Sequence, residues 1–278
     1  MTTTEVPAVP MNDGRSVPAV GFGTYPHDGD DSETTALHAL DAGYRLLDTA
    51  LRYENEVRIG RAVAASDLPR EQILVSTKLA GRHHGYDATI AGFHESLTNL
   101  ALDHVDMYLI HWPLPRLDKY VESWTAMIAL RDEGLVRTIG VSNFTEAHLT
   151  RLVDETGVVP AVNQVEMHPF FPQHDLRAFH ATLGIVTESW SPMGRGELLT
   201  HPVATGIADA HGVTPAQVVL RWHVQLGAVP IPKSADPQRQ RTNLDLFGFA
   251  LDDAQVAALS GLERGRIWGQ DPATHEEF

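Results

Sequence analysis

Eight short apolar, strand-like runs punctuate the chain, at residues 19–23, 44–47, 73–76, 105–110, 137–141, 161–165, 185–188 and 228–231. Between them, at 33–41, 88–100, 120–132, 146–155 and 215–225, apolar residues recur every three or four positions, which predicts amphipathic helices. Thr145 before EAHL and Thr214-Pro215 before AQVVL are helix-start signals. Strands that alternate with helices imply βαβ units and a parallel sheet. Ahead of them, residues 6–18 alternate around Asn12-Asp13-Gly14, whose types tolerate the positive φ of a tight turn, so a short β-hairpin is expected first.

The strand ends carry the polar residues. Asp48, Lys78, His111, Asn143, Glu166, Ser191 and Lys233 follow one another at 30, 33, 32, 23, 25 and 42 residues. A βαβ step takes roughly 30 residues, so the intervals fit successive units of one α/β fold. Eight units predict a closed (β/α)8 TIM barrel. No Gly-x-Gly-x-x-Gly fingerprint of a doubly wound nucleotide fold is present, because Gly21-Phe22-Gly23 is followed by Thr, Tyr and Pro. In a barrel the C-terminal strand ends share one face, where active sites are built, so these polar residues are expected to converge. Residues 1–278 read as a single domain, since such barrels take about 250 residues and no linker divides the chain.

Composition narrows the function. With 21 basic against 36 acidic residues, the formal charge of -15 opposes broad attraction to nucleic acid or anionic lipid. The absence of cysteine excludes disulfides, thiol catalysis and a Cys-based zinc site. The N-terminus MTTTEVPAVPMNDG lacks the charged and apolar regions of a signal peptide, and no stretch reaches the roughly 18 apolar residues of a membrane span, so a cytoplasmic protein is expected. Fifteen histidines include the adjacent pair His83-His84, but neighbouring side chains diverge and no partner lies at ligand spacing, so no metal site is expected.

Read in order, DTALRYENE with Asp48 and Tyr53, TK at Lys78, IHWP at His111, GVSNF at Ser142 and Asn143, NQVE at Gln164 and IPKS at Lys233 resemble the aldo-keto reductase superfamily. GVVPAVNQVEMHP and TPAQVVLRWH look most like its bacterial 2,5-diketo-D-gluconate reductase-like branch. The resemblance implies reduction of a small carbonyl substrate by NADPH, with Asp48, Tyr53, Lys78 and His111 catalytic. Tyr53 would be the acid. A phenol has an ordinary pKa of about 10, and a neighbouring ammonium such as Lys78 favours the phenolate. Asp48 would hold Lys78, and a neutral His111 would orient the carbonyl. Alone, His111 reads as an ordinary histidine between Ile110 and Trp112.

By the same resemblance Ser142, Asn143 and Gln164 would bind the nicotinamide carboxamide, and Trp190 would stack on the ring. Thr24, Ser191, Met193 and Gly194 would meet the rest of the cofactor, with Lys233, Ser234 and Arg239 on the 2′-phosphate and Asn243 near adenine. The family usually has glutamate where Thr242 precedes Asn243. Tyr25, Leu51, Ala80, Trp112 and Trp268 would line the substrate pocket. Close relatives often carry tryptophan at the position of Ala80, which leaves room for a wider pocket or for another loop. The 264–278 tail is expected over the active-site face, and the family resemblance favours a monomer. Two other readings keep the fold: a Schiff-base aldolase using Lys78 or Lys233, and a cofactor-binding regulatory subunit.

Overall fold

The computed structural model describes residues 6–25 and 31–277. Strands β1 (Ala8–Pro10) and β2 (Ser16–Pro18) form the expected antiparallel hairpin, with Gly14 at φ +83° in its turn. Met11 and Val17 of this hairpin are buried among Leu46, Met107, Leu109, Val162 and Val229. The Thr138 hydroxyl also donates to the Asp13 carboxylate at 2.7 Å. The hairpin therefore packs into the apolar end of the strand cylinder.

Eight parallel strands follow: β3 (Phe22–Gly23), β4 (Leu46–Asp48), β5 (Leu74–Leu79), β6 (Val105–Ile110), β7 (Val136–Ser142), β8 (Val162–Glu166), β9 (Val186–Trp190) and β10 (Ala228–Pro230). Each pairs with the next in chain order. Backbone bonds from Gly21 N–H to the Pro230 carbonyl and from Gly23 N–H to the Pro232 carbonyl, both 3.0 Å, join the first strand to the last. Gly21 permits this closure, since a Cβ there would stand 2.5 Å from Ile231 and 2.7 Å from Leu46. The fold is the expected barrel.

The helices are α1 (Ser32–Ala42), α2 (Glu56–Ala65), α3 (Tyr86–Leu100), α4 (Tyr120–Asp132), α5 (Glu146–Thr156), α6 (His174–Leu183), α7 (Pro202–His211), α8 (Pro215–Gln225), α9 (Pro237–Leu244) and α10 (Asp253–Ser260). Thr145 and Thr214 cap α5 and α8 through reciprocal capping boxes, as their positions in the sequence indicate. An apolar layer between helices and strands holds Phe93, Tyr108, Trp124 and Phe144. Helices α2 and α3 meet closely at Gly60, where a Cβ would lie 2.1 Å from the Leu100 carbonyl oxygen.

One correction to the expected boundaries bears on the site. Asp48, Ser142 and Glu166 are the last residues of their strands, and Lys78 lies inside β5, so they are not loop residues beyond the strands. Side chains on one strand alternate between faces. Leu46 and Asp48, or Val162 and Gln164, therefore share the barrel interior, apolar at one end and polar at the other. No helix among the described residues is long and apolar enough to cross a membrane.

Candidate active site

Lys78 is fully buried, and its ammonium is surrounded by oxygen. Nζ donates to Asp48 Oδ2 at 2.6 Å, to the Thr49 carbonyl at 2.9 Å and to Tyr53 Oη at 3.4 Å. Burial opposes its charge, but Asp48 and Tyr53 outweigh burial and raise its pKa. Tyr53 closes a short 3-10 turn, Leu51–Tyr53, that ends at Glu54 in the left-handed region with φ +56°. Because Oη accepts from Lys78, the phenolic proton is left to point elsewhere. Burial pushes the Tyr53 pKa up to about 12, with Lys78 opposing the rise. The His111 ring stands edge-on to Tyr53 at 5.8 Å and Tyr25 flanks it at 5.0 Å, so the four expected catalytic residues do converge.

Behind Asp48 lies a carboxylate network that the motifs did not reveal. The Gln164 amide nitrogen donates to Asp48 Oδ1 and to Glu188 Oε2, both at 2.9 Å. Glu188 Oε1 is buried and has no partner among the described residues, and burial raises the Glu188 pKa to about 7. Thr24 donates its hydroxyl to the Asp48 carbonyl at 3.0 Å, and Asn55 donates to the Thr24 carbonyl at 2.7 Å, tying β3 to β4.

Ser142, Asn143, Gln164 and Trp190 form the adjoining wall, bonded mainly to one another. Trp190 Nε1 donates to Asn143 Oδ1 at 2.8 Å, Asn143 Nδ2 donates to Ser142 Oγ and to the His111 carbonyl at 3.0 Å, and Ser142 donates to the Gln164 carbonyl at 2.8 Å. Ser191 accepts from Trp268 Nε1 at 2.9 Å, and Arg195 stacks over the Trp268 ring at 4.6 Å. Met193 precedes the 3-10 segment Gly194–Thr200. Lys233 lies beside Gly23 at the end of β3. Around the start of α9 Ser234 is half-buried and Arg239 exposed, whereas Asn243 is buried on its last turn.

The tail lies across the polar end of the barrel. Glu166 Oε1 accepts from the Ile267 and Trp268 backbone N–H groups at 2.8 and 3.3 Å, so a strand-end carboxylate anchors it. Farther along, His275 packs on Trp112 at 4.3 Å, and Glu276 accepts from the Arg116 N–H at 2.9 Å. Glu277 reaches Gly81 N–H at 3.1 Å and His111 Nδ1 at 2.8 Å. The space beside Ala80 is thus taken by the tail. Leu51, Ala80 and Trp112 are buried around it, while Tyr25 and Trp268 remain exposed by 57% and 42% and so form the rim. The family motifs assigned no role to Glu166, Glu188 or Glu277. Glu166 stood among the strand-end polar residues expected to converge, and Glu188 ends the predicted run 185–188, whereas Glu277 carried no signal. His83 pairs with Glu95 at 3.0 Å, and among the described residues no three acidic or histidine side chains gather as a metal site.

The model of the Aldo/keto reductase family matches residues 19–264. The chain is 56% identical over 274 residues to 2,5-diketo-D-gluconic acid reductase B of Corynebacterium sp. (strain SHS752001), covering 98% of this chain and 99% of that one. It is 52% identical over 268 residues to an aldo-keto reductase of Mycolicibacterium smegmatis, covering 96% and 98%. Among solved structures, a mutant of Gox0644 in complex with NADPH superposes with a TM-score of 0.93 at 42% identity, covering 98% of this chain and 99% of that one. With its closed barrel and converging Asp48, Tyr53, Lys78 and His111, the chain belongs to the aldo/keto reductase family.

Proposed function

We propose that this protein reduces an aldehyde or ketone to an alcohol with NADPH, and that Tyr53 is the proton donor. The observation that carries this reading is the saturation of Lys78: three oxygens take its ammonium, one of them Tyr53 Oη, so Tyr53 is fixed as an acceptor towards Lys78 and as a donor towards substrate. A Tyr53 pKa of about 12 keeps the phenol protonated near neutral pH. As negative charge develops on the carbonyl oxygen, Tyr53 transfers its proton there, and Lys78 stabilises the phenolate left behind. His111 orients the carbonyl from the opposite side.

The wall beside Asp48 suits a nicotinamide. The two carboxylates oblige the Gln164 amide nitrogen to face them, which leaves its carbonyl oxygen to accept from a carboxamide. Trp190, held by Asn143, offers an aromatic face. Lys233, Ser234 and Arg239 supply two cations and a hydroxyl for a 2′-phosphate, which favours NADPH over NADH. When bound, NADPH supplies the hydride. Similarity to a 2,5-diketo-D-gluconic acid reductase supports keto sugars as substrates, beside small dicarbonyls and aromatic aldehydes. The same reading treats the whole chain as one catalytic barrel working as a cytoplasmic monomer.

The aldolase reading fares worse, because a lysine held charged by Asp48 is a poor amine nucleophile. The test is Tyr53→Phe. Turnover of a carbonyl panel with NADPH should fall by about 10²- to 10⁴-fold, while NADPH binding, followed by tryptophan fluorescence, persists. Undiminished turnover in that variant sinks the assignment.

A further inference from the structure

Proton transfer from Tyr53 makes no use of Glu188, a fully buried carboxylate inside the barrel. It stands on β9 two residues before Trp190, so the two side chains share the interior face, with Glu188 roughly 7 Å deeper along the strand. Oε2 accepts from the Gln164 amide nitrogen at 2.9 Å, and Oε1 has no partner among the described residues. The neighbouring strands place Gln164 and Val229 beside it, and neither strand carries a cation.

Two other charged groups act on Glu188, Asp48 and Lys78, and they neutralise each other in an ion pair of 2.6 Å. Any charge on Glu188 is therefore the excess charge of this part of the interior. Burial, and after it Asp48, raise its pKa to about 7, while Gln164 and Lys78 oppose the rise. The carboxylate is thus about half ionised near pH 7 and almost wholly so by about pH 8.5.

Gln164 links this charge to the wall read above as the nicotinamide site: its amide nitrogen holds Glu188 and Asp48, and its carbonyl oxygen is left for a carboxamide. NADPH and NADP⁺ differ there by one positive charge on the ring and nowhere else. We propose that Glu188 is a specificity-determining residue for the oxidation state of the cofactor: its buried carboxylate favours NADP⁺ over NADPH and so shifts the bound equilibrium towards alcohol. This rests on the reductase reading. Opposite charges roughly 8 Å apart at an effective dielectric of about 20 attract enough for at least a tenfold preference.

The test is tryptophan fluorescence titration of the full chain with NADP⁺, NADPH and adenosine 2′,5′-bisphosphate. In Glu188→Gln at about pH 8.5, the affinity for NADP⁺ relative to NADPH should fall about tenfold. At about pH 6, where Glu188 is mostly protonated, parent and variant should agree within about twofold. His111 is unaltered in the variant, so its share of any pH dependence cancels in that comparison. The bisphosphate has no nicotinamide; it should bind both proteins equally and thereby report an intact site. Glu188→Ala, the second variant, also deprives Gln164 of a partner, so both cofactors should weaken there, NADP⁺ the more. An unchanged ratio at about pH 8.5 overturns the proposal. Equal weakening of both cofactors in both variants overturns it too, because Glu188 would then only hold Gln164 in place. Either result beside normal NADPH-dependent turnover leaves the reductase assignment standing, whereas undiminished turnover in Tyr53→Phe ends that assignment without touching these affinities.

Discussion

Tyr53 and Lys78 lie close enough to hydrogen bond, yet the phenol's pKa moves upward to about 12. From residue types alone, an adjacent ammonium is expected to lower it. Desolvation opposes the phenolate more than one buried, already neutralised cation favours it, because Asp48 takes up most of the Lys78 charge at 2.6 Å. The pair is thus arranged to hold a proton in readiness. Glu188 carries the second informative shift. Burial raises its pKa from 4.5 to about 7, so the folded protein binds a proton there that the unfolded chain releases. Its contribution favours folding below about pH 4.5 and is lost as pH rises through 7, a swing of about 3 kcal/mol. Glu188→Gln, which keeps an acceptor for Gln164, should therefore gain melting temperature over the parent at pH 8 and little or nothing at pH 5. Equal shifts at both pH values would show that Glu188 does not titrate in this range.

At the scale of elements, α9 sets the expected preference between cofactors. Asp236 caps its N-terminus by accepting from the Gln238 and Arg239 backbone N–H groups at 2.8 and 3.1 Å. A carboxylate thus already satisfies the helix end, and on the proposed reading a 2′-phosphate would be recognised by the side chains of Lys233, Ser234 and Arg239. A charge-assisted hydrogen bond contributes about 1.5–3 kcal/mol. Arg239→Ala should then weaken NADPH by roughly 10- to 100-fold and leave NADH nearly unaffected, as measured by fluorescence titration. Equal weakening would place Arg239 away from the 2′-phosphate. Thr145 and Thr214 were legible as helix starts because capping is local. Helix α6 was not, since Gln173 precedes it in a left-handed conformation without a side-chain cap.

Across the whole molecule, three buried histidines make folding sensitive to acid. Burial lowers the pKa of His84 and His180 to about 4 and of His223 to about 3. His180 and His223 also bind neighbours, Asn163 and Thr187 for the first, and Ser189 and the Pro192 carbonyl for the second. Each depressed pKa contributes stability that is complete above about pH 6.5 and disappears as pH falls towards the folded value, because the unfolded chain takes up the proton first. The melting temperature should drop continuously between pH 6.5 and 4, against the opposite and smaller trend from Glu188. A flat profile over that window would mean that these histidines take up protons in the fold as readily as in the unfolded chain.

The barrel, the hairpin before it and the convergence of Asp48, Lys78 and His111 followed from the chain alone, and Tyr53 joined them through the family resemblance. Alternation and spacing are local properties, and a closed parallel barrel turns strand order into position. The partners of those residues did not follow. Glu188 comes within reach of Asp48 only through Gln164, and Glu277 reaches His111 only because Glu166 turns the tail back across the barrel. These contacts join segments with no common motif or fixed separation. Burial, which decides the charge of Tyr53 and Glu188, is likewise a property of the assembled barrel, because it depends on how much water the other strands and the tail exclude.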